Sequence, residues 1–369
     1  MFSSFSYRSN FRSKSFPSKL LISVVFSVLF ATQAIAYEIE PDASISDSPT
    51  SLLGVNHIGL SVRDLDASLD FYQTASDFKL VRRETVRGNS AADTLFGREN
   101  VEYEIAVLEA PNMLFELIEF SHNRDQPVSK MPVQGPGMTH TCFQSPAHLS
   151  GYDKFKNAGA EMLSRGDGPV DLLGQGVTYA YAYDPEGNML ELEQLDFNVL
   201  GGDPRKPEWV EEGLDMWMTQ VALVTHDIER LTNYYSEIMG FNPYRAADIA
   251  DRVTFDDATG IDDVALKVVF FRMAQRTKSM EFWQYVKPET PQFMENRDST
   301  ALGYSYSIEV ADIQAEYARM AGLGVEFVSE PVLLGDFWQV YANDIDGNVF
   351  ALRQWVDPDS PWSVPNLEQ

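Results

Sequence analysis

Two histidines, His57 and His140, and two close pairs of glutamates, Glu116 with Glu119 and Glu191 with Glu193, stand inside apolar, strand-like runs of this sequence. Strand interiors are usually filled by apolar side chains, and a buried imidazole or carboxylate without a partner is costly. Imidazole nitrogen combined with carboxylate oxygen suits Zn, Ni, Co, Mn or Fe(II), and one such divalent ion satisfies several of these groups at once. An ion held in this way polarises a carbonyl as a Lewis acid, while a neighbouring carboxylate carries a proton.

The elements that must position these groups recur along the chain. His57 lies in the alternating run Val55–Val62, which reads as a strand. Asp64 then caps a helix whose apolar face is Leu65, Leu69 and Tyr72. The pattern returns at Met218–Val224, with Asp227 as cap and Ile228, Leu231, Tyr235 and Ile238 on the helix face. A weaker copy follows in each half. Strand Thr139–Gln144 precedes a helix lined by Tyr152, Phe155 and Ala158 and ended by Gly159. Strand Tyr304–Val310 precedes a helix capped by Asp312, lined by Ile313, Tyr317 and Met320, and ended by Gly322. The turns Asp184-Pro185-Glu186-Gly187-Asn188 and Asp344-Ile345-Asp346-Gly347-Asn348 then lead into further alternating strands. The unit is strand, helix, then several strands, present four times, which places the chain in the α+β class.

This βαβββ unit, repeated in pairs, with His in the first strand and Glu after an Asp-Pro-x-Gly-Asn turn, resembles the vicinal oxygen chelate superfamily of glyoxalase I, bleomycin resistance proteins and extradiol dioxygenases. The resemblance implies two glyoxalase-like domains, residues 52–199 and 216–358, in which paired modules cup one divalent metal ion. Carried over residue by residue, it makes His57, Glu116, His140 and Glu191 the metal ligands. It makes the second domain degenerate, because Gln220, Glu281, Tyr306 and Ala351 stand at the equivalent places. Glu193 shares a strand face with Glu191, whereas Glu119 points opposite to Glu116.

The His/Glu/His/Glu set is similar to that of glyoxalase I and related epimerases, which move a proton next to a carbonyl. On that reading the protein is a metal-dependent lyase or isomerase, and Glu116 and Glu191 double as acid and base. Tyr181 matches the tyrosine of the extradiol dioxygenase signature, which makes an Fe(II) ring-cleaving enzyme built on His57, His140 and Glu191 the main alternative. The histidine which that signature wants upstream is replaced by Asp171-Leu172-Leu173-Gly174. A small-molecule-binding protein, like the antibiotic-sequestering members, is the third class. Tyr179, Tyr181 and Tyr183 share a strand face as core or cavity wall, and the single cysteine, Cys142, reads as a small buried hydrophobe. Arg82, Arg83, Arg87 and Arg98 are candidates to hold an anionic group.

Residues 1–36 read as a signal peptide: a basic leader with Arg8, Arg12, Lys14 and Lys19, an apolar run from Leu20 to Phe30, and Ala34-Ile35-Ala36 before the cleavage point. Export to a periplasm or the medium is therefore expected, and with it a carbonyl or 2-oxo substrate other than a conjugate of glutathione, which is chiefly cytosolic. Residues 37–51 and 200–215 read as polar linkers and 359–369 as a C-terminal tail. The formal charge of −27 disfavours nucleic acid and anionic membranes as partners. A small-molecule substrate is the expected partner, and a homodimer is compatible with the family. No second apolar run long enough to span a bilayer follows the leader.

Overall fold

The structure is a computed structural model that describes residues 36–38, 43–172, 174–200, 214–273, 278–293 and 296–367. Of the expected leader, residues 1–36, all but Ala36 lies outside these, and so does most of the 200–215 segment. Four modules follow one another within one compact unit, Ala34–Gln369. Their first strands are Leu52–Val62, Gly137–His140 continued by Cys142–Pro146, Gln220–Val224 and Gly303–Val310. Their helices are Leu65–Ala75, Gly151–Ala158, Ile228–Met239 and Ile313–Gly322. Their last strands are Leu114–Phe120, Met189–Leu195, Ser279–Lys287 and Val349–Trp355.

Two local devices hold every module in shape. The carboxylates of Asp64, Asp227 and Asp312 accept backbone N–H bonds three residues onward at 2.9, 3.1 and 3.0 Å, as helix caps do. Module 2 uses the Ser150 hydroxyl instead, 3.2 Å from the Asp153 amide, and closes its helix on Gly159 at φ 108°. The second device ties each last strand to its own helix. Amides at the helix starts, of Leu65, Tyr152, Ile228 and Ile313, donate to Glu119, Gln194, Gln284 and Gln354 at 2.7, 3.1, 3.1 and 2.9 Å. Each acceptor stands three residues beyond Glu116, Glu191, Glu281 or Ala351. The strand residue that faces the site and the one that grips the helix are thus fixed together.

Consecutive modules pack back to back. Asp184 and Asp344 fold their turns by accepting the amides of Glu186 and Asn188, and of Asp346 and Asn348. Each also receives a hydroxyl from the preceding module's helix, Tyr72 onto Asp184 and Tyr235 onto Asp344, both at 2.9 Å. Between modules 1 and 2 the rings of Phe71, Tyr72, Phe115, Phe143 and Phe155 interlock, which makes that junction mainly apolar.

Strand pairing links the modules in another order. The first strand of module 1 runs antiparallel to that of module 4, with His57 opposite Ser307 and Gly59 opposite Ser305. These two modules form a single nine-stranded sheet. The first strand of module 2 pairs with that of module 3, His140 opposite Ala222, before Thr141. Beyond Thr141 it pairs with its own last strand, Cys142 opposite Glu191. The half-barrels are therefore built from modules 1 with 4 and 2 with 3.

The segments expected to be a linker and a tail carry structure. Ala36–Glu38 pairs with Arg245–Ile249, Ile45 is buried in the core, and the Ser48 hydroxyl donates to the Met239 carbonyl. At the other end, Val364 and Leu367 are buried, and the Asn56 amide donates to the Trp362 carbonyl at 2.9 Å. Among the described residues no helix is long and apolar enough to cross a membrane.

Candidate metal centre

Because modules pair as 1 with 4 and 2 with 3, the four residues expected to share one ion are divided between two sites. His57 Nε2 lies 3.3 Å from Glu116 Oε2 in the first half-barrel. His140 Nε2 lies 3.7 Å from Glu191 Oε2 in the second. Among the described residues no three imidazole, thiol or carboxylate groups gather around a common centre, so the quartet His57, Glu116, His140 and Glu191 does not form. The dioxygenase triad of His57, His140 and Glu191 is split in the same way.

The strand register identifies what faces each pair. Two residues past His57 stands Gly59, opposite Glu116, and two past His140 stands Cys142, opposite Glu191. Two past Gln220 stands Ala222, opposite Glu281, and two past Ser305 stands Ser307, opposite Ala351. The module 1/4 site is completed by Ser305 and Ala351, and the module 2/3 site by Gln220 and Glu281. Tyr306, read as an equivalent position from the sequence, points the other way and shares a hydrogen bond with the Tyr235 hydroxyl in the core.

In the module 1/4 site a guanidinium supplies the positive charge. Arg353, on the same strand face as Ala351 and 2% exposed, meets the Glu116 oxygens at 2.7 and 3.2 Å. Its Nε donates to Gln339 at 2.7 Å, and its guanidinium lies 4.1 Å from the Phe337 ring centre. The small side chains of Ser305 and Ala351 leave room for it. Burial alone would raise the Glu116 carboxyl, but Arg353 and then His57 bring it down to about 2. Burial and the Arg353 charge hold the His57 imidazole at about 3. Both Glu116 oxygens are satisfied without an ion, and two of the four ligand positions carry no ligand. This site does not fit a divalent metal.

The module 2/3 site has the opposite character. His140 Nε2, Glu191 Oε2 and Gln220 Oε1 are all buried, and none has a hydrogen-bond partner. Leaving three such atoms unpaired costs about 1–3 kcal/mol each, more for a charge. Glu281 completes the set, its oxygens 3.2 Å from the Ser279 hydroxyl and 3.3 Å from the Trp283 indole N–H. The His140 Nδ1 is 2.9 Å from the Thr139 hydroxyl, and donating to it leaves a lone pair on Nε2. Burial, then the charges of Glu281 and Glu193, push the Glu191 carboxyl well above its usual range. Burial foremost raises Glu281 to about 7, and burial lowers the His140 imidazole to about 3. A neutral imidazole, an amide oxygen and two carboxyls that repel each other's charge are donors of the kind a divalent cation takes, but His140, Glu191 and Glu281 do not already converge on one centre, so an ion would have to draw them together.

A cavity of about 970 Å³, its open mouth included, leads to this site. Glu191, Gln220, Glu281, Tyr179 and Tyr181 face its inner end. Tyr181 lies opposite Glu191 across the strands, its ring centre 5.1 Å from that of His140. Glu193 is held by the Gln144 amide at 2.6 Å and approached by Cys142, so both back the site from within. Glu119 is taken up by its helix amide and by Arg124. Arg82, Arg83, Arg87 and Arg98 are paired with carboxylates away from this cavity. Sequence order pairs module 1 with module 2 and gives an amide no ligand role, which is why Gln220 and Glu281 read as degenerate positions from the sequence alone.

The family model described as Glyoxalase/Bleomycin resistance protein/Dioxygenase superfamily matches residues 54–192 and 217–352. Over 145 residues, 38% of this chain and 97% of the relative, the protein is 24% identical to an ethylmalonyl-CoA/methylmalonyl-CoA epimerase of Cereibacter sphaeroides. Over 171 residues, 44% of this chain and 94% of the relative, it is 28% identical to a lactoylglutathione lyase of Pseudomonas aeruginosa. The crystal structure of glyoxalase I from Zea mays aligns with 84% of this chain and 94% of its own, at a TM-score of 0.54 and 19% identity, a likeness of fold. Two family-model matches in tandem, on the paired modules that build these half-barrels, place the chain in the glyoxalase/bleomycin resistance protein/dioxygenase superfamily.

Proposed function

We propose that the protein is a divalent-metal-dependent isomerase or lyase that moves a proton at a carbon next to a carbonyl, with its single metal site formed by His140, Glu191, Gln220 and Glu281. The observation that carries this reading is the trio of buried, partnerless atoms, His140 Nε2, Glu191 Oε2 and Gln220 Oε1, at the inner end of one cavity. The ion, when bound, would polarise the substrate carbonyl and stabilise an enediolate.

The two carboxyls differ in freedom. Both Glu281 oxygens are held by neighbours, whereas Glu191 Oε2 is held by none. Glu191 is therefore the group that takes the proton from carbon and returns it, and its raised affinity for a proton suits a base that must hold one near neutrality. Tyr181, beside Glu191, positions that carboxyl, and the apolar walls keep water from the carbanion-like intermediate. The epimerase and the lyase among the relatives support a carbonyl substrate. Export through the leader 1–36 belongs to the same proposal and favours a substrate that is not a glutathione conjugate.

The direct test is proton exchange. Metal-loaded protein incubated in D2O with a panel of 2-oxo acids, 2-oxo aldehydes and acyl thioesters should incorporate deuterium next to the carbonyl of at least one, as followed by NMR. Oxygen uptake with catechols, dependent on Fe(II) and without any exchange, would contradict it.

A further inference from the structure

Two arginines that line the cavity make no ion pair among the described residues, although the charge of Arg245 reaches the Glu281 carboxyl and lowers it. The chain carries 55 acidic against 28 basic residues, so carboxylates are in ample supply. Arginines elsewhere find them: Arg63 meets Glu186, Arg83 meets Asp66 and Glu104, Arg165 meets Asp262, and Arg319 meets Glu316. Arg252 lines the cavity half-buried, and its side chain makes no hydrogen bond or ion pair among the described residues. Arg245, on the strand Arg245–Ile249, lies flat over the Phe270 ring at 3.8 Å and likewise has no ion pair among them. A guanidinium stacked on an aromatic face keeps its in-plane N–H fork available for a planar anion.

The lining between mouth and floor is apolar: Ile249, Phe255, Val268, Phe270, Trp283 and Leu172. The inner end carries Glu191 and Glu281 and no cationic side chain, so among the lining residues the arginines alone offer an anion a positive charge. The cavity is thus polarised along its length, with carboxyls inside, hydrocarbon in the middle and guanidinium outside. We propose that its ligand is an elongated carbonyl compound with an apolar body and a terminal anion, a carboxylate or a phosphate, clasped by Arg245 and Arg252. This deepens the proposed function and rests on it for the orientation of the reacting end.

The test uses three probes that share one apolar body: 4-phenylbutyrate, 4-phenylbutyl phosphate and the neutral 4-phenylbutyramide. Calorimetry on the full chain, with metal removed by chelation, should show at least one of the two anions binding tenfold or more tighter than the amide. The tighter anion names the terminal group. Arg252→Met combined with Arg245→Met should erase the preference and leave amide binding unchanged, while Arg252→Lys should keep part of it. Equal binding of anions and amide, or a preference that survives in the double variant, would overturn the proposal. Because the measurement needs no metal and no turnover, its failure is distinct from a failure of the deuterium-exchange test, which would leave the anion preference standing.

Discussion

The guanidinium of Arg353 meets both carboxylate oxygens of Glu116, at 2.7 and 3.2 Å, inside a half-barrel where a divalent ion would otherwise be expected. The pair is buried and stacked against Phe337. One of two homologous sites is thus filled by an internal ion pair, and the other holds buried donors without a hydrogen-bond partner.

Arg353→Met should be strongly destabilising, since it leaves the Glu116 charge buried with only a neutral imidazole beside it. The expected loss is about 3–5 kcal/mol in urea unfolding. Adding Glu116→Gln should recover part of that loss, because the stranded charge is then gone. Metal content should not change in either variant. A destabilisation below about 1 kcal/mol, the range of an exposed pair, would show that the pair is solvated.

Metal binding should release protons, and the source should be the carboxyls. Glu281 is raised to about 7 and Glu191 lies well above its usual range, while His140, at about 3, is already neutral at pH 6.5. Ligation needs deprotonated carboxylates, so affinity should rise with pH through about 7. Calorimetry at pH 6.5 in buffers of different ionisation enthalpy should find about one proton or more released per ion, and fewer in Glu281→Gln. The same raised groups stabilise the metal-free fold below their unfolded values, and that contribution is lost as pH climbs through the folded ones. Metal-free protein should therefore lose stability as pH rises to about 7, where Glu281 ionises in the fold, and the raised Glu191 should extend that loss. A gain in stability there would contradict the assignment.

Glu191→Gln should abolish deuterium exchange, by about a hundredfold or more, if this carboxyl carries the proton. Tyr181→Phe should reduce exchange far less. Equal losses in the two variants would move the proton-carrying role away from Glu191.

Asp227→Ala removes the cap that accepts the Arg230 amide at 3.1 Å. It should cost about 1 kcal/mol in thermal or urea unfolding while leaving metal content intact. A loss of metal would mean that the helix of module 3 positions Gln220 more directly than the register implies.

Much of this was legible in the sequence. The capping aspartates, the helix faces and the Asp-x-x-Gly-Asn turns are local signals, and each stands where its chemistry required. So is the positional repeat: Gln220 and Glu281 occupy the same places in module 3 as His57 and Glu116 in module 1. What local sequence does not encode is which first strands pair. All four are buried over nearly their whole length on both faces, so pairing 1 with 2 satisfies burial as well as pairing 1 with 4. The cap spacing itself points to Ser305 rather than Tyr306, since Ser305 precedes Asp312 by the same interval that separates His57 from Asp64 and Gln220 from Asp227. Arg353 left no signal at all, since a lone arginine in a strand reads as solvent-facing until its partner is known.

The most direct test is metal content per chain, by elemental analysis, in His140→Ala and His57→Ala purified side by side with the parent protein. Loss of the ion in His140→Ala with about one equivalent retained in His57→Ala is the result expected of a centre built from modules 2 and 3. Loss in His57→Ala with retention in His140→Ala would place the ion in the other half-barrel and contradict the account.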